Sequence, residues 1–294
     1  MGGARGGGER AVNLFAFGLG YSATAWIARG GFSRVRGTVT TREKAGRLAE
    51  RGIEAFVLGD DALDPGLVPA LEDSDAILVS APPGEGGDPV LARLGEAVAA
   101  SRARWIGYLS TIGVYGDRDG AWIDETAEAR PGSARSLRRL AAEEAWLALG
   151  ARTGQAVAVF RLAGIYGPGR SAVDQLRAGT ARRIVKPGQV FNRIHVEDIA
   201  GVLEASLARP RPGGIYNVAD DEPAPPGDVV AHAAALIGVP APPETPFDPA
   251  AMTPMAASFY AENKRVRNDL VKRELGVRLR YPTYREGLAA IAAG

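Results

Sequence analysis

The chain has 294 residues, no cysteine, only two histidines and a formal net charge of +1. That length suits one large α/β unit or a main unit with a smaller lobe. The lack of cysteine excludes disulfides, thiolate metal sites and a thiol nucleophile and fits a reducing, cytoplasmic setting, while the small net charge gives no field to draw nucleic acid or an anionic membrane.

Met1 to Arg10 is mostly glycine, lacks an apolar signal core and reads as a disordered tail. No apolar run reaches the roughly 18 residues a membrane span needs. The first element is the apolar strand ending at Phe17. It enters Gly18-Leu19-Gly20-Tyr21-Ser22-Ala23 and continues as a helix through Arg29. Gly18 permits the tight turn. Gly20 removes a side chain that would hold a pyrophosphate off the backbone, and Ala23 lets the helix pack close to the sheet. Phosphates would lie on the helix N-terminus at Tyr21 and Ser22, where free N–H groups and the dipole favour anions.

A second strand, Arg34 to Thr40, is followed by a helix from Arg42 to Arg51. A dinucleotide site selective for NAD usually places a carboxylate about twenty residues beyond the glycine turn. Here the residues are Thr40, Thr41 and Arg42, and the forked donors of Arg42 suit a 2′-phosphate, which points to NADP(H) rather than NAD. A solvated arginine on a first helical turn is the plainer alternative. Asp60, closing a third strand from Glu54 to Leu58, suits either the adenine amino group or a loop cap. A short helix covers Leu67 to Leu71. The fourth strand, Asp75 to Ser80, runs into Ala81 and Pro82. Ser80, Ala81 and Pro82 should therefore lie beside the central ribose and phosphates, because ligands gather at the carboxyl ends of the strands.

A helix from Val90 to Ala100, a strand from Arg104 to Ser110, a long helix from Ser133 to Leu149 and a strand from Ala156 to Leu162 continue the alternation. The pattern predicts a doubly wound, parallel α/β sheet covered on both faces. After about Gly164 proline becomes frequent, and the texture changes to a smaller, loop-rich lobe. We place a dinucleotide-binding domain at 11–164 and a substrate lobe, partly interleaved with it, at 165–294. Helices are expected at Glu197 to Leu207 and Asp228 to Leu236, with Asp228 as a cap for the second. The loop acids Asp124, Glu125, Asp220, Asp221 and Glu222 read as solvated turn residues. No metal site is expected.

Five segments carry a family resemblance. They are Leu109-Ser110-Thr111-Ile112-Gly113-Val114-Tyr115-Gly116, Phe160 to Arg170 with Tyr166-Gly167-Pro168, Arg193-Ile194-His195-Val196-Glu197-Asp198, Ile215 to Pro223, and Tyr281 to Leu288. In this order they resemble the extended short-chain dehydrogenase/reductases of the NAD-dependent epimerase/dehydratase group. The resemblance implies a Rossmann-type domain holding NAD(P), a C-terminal substrate lobe, and reversible hydride transfer on nucleotide-sugars or other small carbonyl and alcohol compounds. It also implies a homodimer through the long helices beginning near Val90 and Ser133.

The family's site pairs a Ser or Thr after the fifth strand with Tyr-x-x-x-Lys on the next helix. The tyrosine is the acid/base, and the lysine lowers its pKa and holds the ribose. Thr111 falls on the first position, with Ser110 beside it. Ser133 and Ala142-Glu143 fix the helix register, which puts Arg135 at the tyrosine and Arg139 at the lysine. The chain resembles an atypical branch without the dyad. Arg139 can still hold a ribose, but a guanidinium stays protonated at any working pH and makes a poor proton shuttle. The glycine turn departs too, since Phe17 stands where the extended family has its first glycine. Tyr166 and Tyr115 lie near the expected nicotinamide end and are candidates to deliver the proton in place of the missing tyrosine, with loop packing as the plainer alternative, and His195 has a pKa range that titrates near neutrality. Arg170 and Arg193 flank motifs facing the cleft and suit a substrate phosphate or carboxylate. Two functions stay open: an oxidoreductase or epimerase with a modified site, or a catalytically silent dinucleotide-binding redox sensor.

Overall fold

The computed structural model describes residues 12–59 and 62–294. The expected tail at 1–10 and Asp60 lie outside them. In chain order, β1 (Val12–Phe17), α1 (Tyr21–Ala28), β2 (Phe32–Val39), α2 (Arg42–Ala49), β3 (Glu54–Val57), α3 (Leu67–Glu72), β4 (Ala76–Val79), α4 (Pro89–Ala100) and β5 (Trp105–Thr111) alternate. Next come β6 (Trp122–Ile123), α5 (Ala134–Thr153), β7 (Ala156–Leu162), β8 (Gly164–Tyr166), α6 (Ala172–Arg177), β9 (Arg183–Val185), β10 (Arg193–His195) and α7 (Val196–Ala208). The chain closes with β11 (Gly214–Val218), α8 (Pro226–Leu236), β12 (Glu244–Pro246), α9 (Pro254–Tyr260), β13 (Arg265–Val266), α10 (Asp269–Leu275) and α11 (Tyr284–Ala293).

Seven strands form one parallel sheet in the order β11-β7-β5-β4-β1-β2-β3. Both faces are covered, so the central strands are apolar without a break. Along β1 the side chains alternate. Leu14 and Ala16 join one core with Trp26, Trp105 and Ile199, while Phe15 and Phe17 join the opposite core with Leu71, Val98 and Trp146. Two of the three buried indoles find polar partners, as such rings usually do: Trp105 Nε1 donates to Ser206 Oγ at 3.0 Å and Trp146 Nε1 to Asp88 Oδ2 at 2.9 Å. A third, smaller core gathers Tyr166, Val173, Val229, Tyr284 and Leu288 from the later residues.

The sheet's last strand, β11, comes from beyond residue 164, and α7 from that same half packs on α1. The two halves therefore share one sheet and one core. The cap at Asp228 is a correction. Pro225 occupies the N-cap of α8 with no side-chain bond, and Asp228 falls inside the first turn. Pro226 fixes φ and starts the helix two residues earlier than expected. Among the described residues no helix is long and apolar enough to cross a membrane.

Candidate functional site

The carboxyl edge of the sheet carries two structures of interest, one after β1 and one after β5. Gly18 follows β1 with φ +86°, a region that favours glycine. A Cβ there would stand 2.9 Å from Ser80 Oγ and 3.1 Å from the Ala81 amide. The turn is pinned from both sides, as Gly18 N donates to Thr38 Oγ1 at 3.0 Å and Ser80 Oγ donates to Gly18 O at 2.5 Å. Thr38 was not expected here. Its only sequence signal is a hydroxyl in an otherwise apolar strand end.

Gly20 is the N-cap of α1 and supplies no side-chain cap. A Cβ at Gly20 would meet nothing within 4 Å, so its absence leaves open space in front of the helix. The amides of Tyr21, Ser22 and Ala23 have no acceptor inside the helix. Ser22 and Ala23 are buried, which anchors the first turn. This cradle fits a dinucleotide pyrophosphate. Ala81 is half-buried and Pro82 exposed, just past β4. Thr41 is spent as the α2 cap, accepting from Lys44 N at 3.3 Å, whereas Arg42 beside it is exposed and makes no ion pair with the described residues.

At the other structure, Thr111 ends β5 half-buried, and its Oγ1 accepts from Gly113 N at 3.1 Å. Ser133 caps α5 by accepting from Ser136 N at 3.2 Å. Arg135 and Arg139, one turn apart, share a helix face. Arg139 reaches the sheet. Its Nη1 donates to Leu109 O at 2.9 Å and to Tyr108 Oη at 3.1 Å. Burial pushes Tyr108 up to about 12, against the pull of Arg139. Arg135 is exposed and lies 5.1 Å from the centre of the Phe259 ring, on α9. Neither arginine forms an ion pair with a described carboxylate, so both positive charges stand uncompensated at the start of α5.

Several expected residues stand behind this edge. Ser110 is buried and donates to Glu143. Glu143, itself 1% exposed, receives a two-pronged pair from Arg161 on β7, at 3.2 and 2.7 Å. Arg161 lies 4.8 Å from the centre of the Tyr115 ring. Tyr115 is fully buried and donates to Asn217 Oδ1 at 2.8 Å, while Glu125 accepts from Asn217 N at 2.8 Å. Ser110 and Tyr115 therefore belong to a core network, not to a reacting surface, because their hydroxyls are buried and committed to Glu143 and Asn217. Glu125 is a correction of the same kind, a half-buried acceptor whose pKa burial raises.

His195 is 2% exposed and caps α7, accepting from Glu197 N at 3.2 Å. Its ring packs 4.1 Å from Tyr281 and 5.1 Å from Tyr166. Burial pushes its pKa down to about 4, so it does not titrate near neutrality as expected. Tyr166 is buried against α11. Burial first, then the nearby Asp220, holds its pKa far above the usual range, so it keeps its proton. Asp220 is likewise not a solvated turn residue. It is 1% exposed, one of its oxygens has no partner, and burial raises its pKa to about 8. Arg193, close enough to act on it, donates Nη1 to Phe191 O at 2.9 Å and to Ala224 O at 3.2 Å. Arg170 is exposed beside Tyr21.

Residues 90–219 match the model of the NAD dependent epimerase/dehydratase family. Protein YeeZ of Escherichia coli (strain K12) is 31% identical over 214 residues, covering 68% of this chain and 71% of that protein. A solved structure of a conserved protein of unknown function from Silicibacter pomeroyi DSS is 50% identical. It covers 96% of this chain and 99% of that one, with TM-score 0.85. The dTDP-glucose 4,6-dehydratase of Bacillus anthracis str. Ames, solved in complex with NAD, has the same fold, with 16% identity, 96% coverage of each chain and TM-score 0.74. With the Rossmann-type sheet and the glycine turn in place, the chain belongs to the NAD-dependent epimerase/dehydratase family.

Proposed function

We propose that this chain is an NADP(H)-dependent oxidoreductase or epimerase-like enzyme of the cytoplasm, acting on a nucleotide-sugar or a small carbonyl or alcohol compound. Residues 11–164 would hold the cofactor and 165–294 most of the substrate, in a dimer formed through α4 and α5. The open, uncapped α1 N-terminus at Gly20 carries the reading, and the exposed Arg42 supports the choice of NADP(H). A bound nicotinamide dinucleotide supplies or accepts the hydride.

The chain's own residues do the rest. Arg139, tied to Leu109 O and Tyr108, holds a ribose hydroxyl from the lysine's position. Thr111 orients the reacting oxygen. When a carbonyl carbon gains hydride, the oxygen becomes an alkoxide, and the fixed charges of Arg135 and Arg139 stabilise it. Its proton then comes from water, because a guanidinium gives none up and Ser110 and Tyr115 are committed elsewhere. In the oxidative direction the same proton returns to solvent.

The silent redox sensor remains the second reading, favoured by the exposed Arg135 where the family has its acid/base. Absorbance at 340 nm with nucleotide-sugars, keto acids and small aldehydes, run beside cofactor-binding titrations, separates the two. Turnover supports the enzyme. Micromolar binding with no turnover across all three classes supports the sensor, and no binding overturns both.

A further inference from the structure

We infer that Arg170, carried on the second half of the chain, is a ligand of the cofactor pyrophosphate and not of the substrate. The inference rests on the dinucleotide reading above and adds a residue that the glycine fingerprint does not contain. Residues Gly167 to Arg170 form a tight turn closed by two backbone bonds, Arg170 N to Gly167 O at 2.9 Å and Gly167 N to Arg170 O at 3.3 Å. That turn is locked onto the first residue of α1. Tyr21 Oη donates to Pro168 O at 2.9 Å across 147 residues of sequence.

The fit is close. A Cβ at Gly167 would stand 2.5 Å from Tyr21 Oη and 2.7 Å from Val196 Cγ1, so only glycine lets the turn approach. Burial raises the Tyr21 pKa, which keeps its hydroxyl a donor.

The latch delivers a charge. The Arg170 guanidinium lies 5.9 Å from the Tyr21 ring centre and is exposed, with no side-chain hydrogen bond or ion pair to the described residues. The two acids that act on Tyr21 are occupied. Asp174 accepts from Ser171 Oγ at 2.5 Å, and Glu197 lies 3.3 Å from Arg280. Tyr21 is the first residue of α1 and directly follows Gly20, so its ring ties this free cation to the element whose first amides are uncapped. Backbone donors and the dipole of α1, joined by a forked guanidinium swung from the Tyr21 ring, would close on a pyrophosphate as a clamp. A residue of the substrate half thereby contacts the cofactor, which ties cofactor binding to the seating of that half on α1.

Calorimetric titration of the full chain tests the clamp without any turnover. ADP-ribose carries the pyrophosphate alone, 2′-AMP carries the 2′-phosphate alone, and NADH and NADPH are the complete ligands. Arg170→Met should weaken ADP-ribose, NADH and NADPH alike, by about tenfold for one charged contact, and leave 2′-AMP unchanged. Tyr21→Phe, which keeps the ring but removes the bond to Pro168, should weaken the same three by about threefold. Unchanged ADP-ribose affinity in Arg170→Met overturns the inference alone, as does a loss confined to NADPH and 2′-AMP. Failure of the wild-type chain to bind any dinucleotide overturns the cofactor reading and the clamp together.

Discussion

The turn after β1 and the start of α5 stand on the same edge of one sheet, yet they are built by opposite means. The turn is a backbone object. Gly18 is held by Thr38 and Ser80, and Gly20 contributes only space. The start of α5 is a side-chain object built along one face. Near the helix start, Arg135 and Arg139 carry charges that no described carboxylate neutralises. One turn further along the same face, Glu143 is locked to Ser110 and Arg161. A backbone site tolerates sequence drift around it, while a side-chain site can lose its chemistry through two substitutions and keep its frame. In this chain the backbone turn is intact, and α5 keeps a buried carboxylate at Glu143 while carrying arginine at 135 and 139.

The largest effect is expected at that frame. Glu143→Ala strands the buried Arg161 and should cost about 3–5 kcal/mol in urea unfolding. Arg139→Ala, half-buried and free of any carboxylate but bonded to Leu109 O and Tyr108, should cost about 1–2 kcal/mol. Equal losses from the two would break the distinction between the locked and the uncompensated end of that face.

A pH series comes next. Burial raises Asp220 from 3.8 to about 8, so the folded chain holds a proton that the unfolded chain has released between those values. Stability should therefore fall as pH rises through that window, by up to about 1.4 kcal/mol per unit. His195, lowered to about 4 from 6.5, works the other way and loses stability only as pH falls below about 6.5. Between pH 6.5 and 8 the Asp220 slope stands alone, and Asp220→Asn should flatten it in denaturation midpoints.

The glycine turn gives the third contrast. Gly18→Ala forces a side chain onto Ser80 at positive φ and should cost about 1–3 kcal/mol. Gly20→Ala meets nothing in the protein and should cost about 1 kcal/mol or less, while still weakening dinucleotide binding. A Gly20→Ala chain that binds NADPH as the wild type does would show that the open space is not where phosphate lies. Arg42→Gln is expected to leave stability unchanged and to show only in binding, as a loss of NADPH affinity of about tenfold with NADH unchanged.

Much of this was legible locally. Alternating apolar strands and amphipathic helices announced a parallel sheet, because strands buried on both faces read as continuous apolar runs. The start of the long helix at Ser133 was legible too, and Ser133 is its observed cap. What stayed hidden depended on neighbours far along the chain. Ser110 looked like part of the reacting pair until α5 and β7 brought Glu143 and Arg161 beneath it. His195 looked titratable until Tyr166 and Tyr281 enclosed it. Asp220 looked solvated because it lies in a loop, and only the meeting of β10 with the end of β11 buries it, its amide donating to Arg193 O at 2.7 Å.

By itself the sequence determined the elements, the glycine turn and the absence of tyrosine and lysine from the long helix, since each depends on residue type and short-range spacing. The tertiary structure decided which polar groups remain free to meet a ligand. That choice is made by desolvation and by partners supplied from other strands, and neither can be read from spacing along the chain.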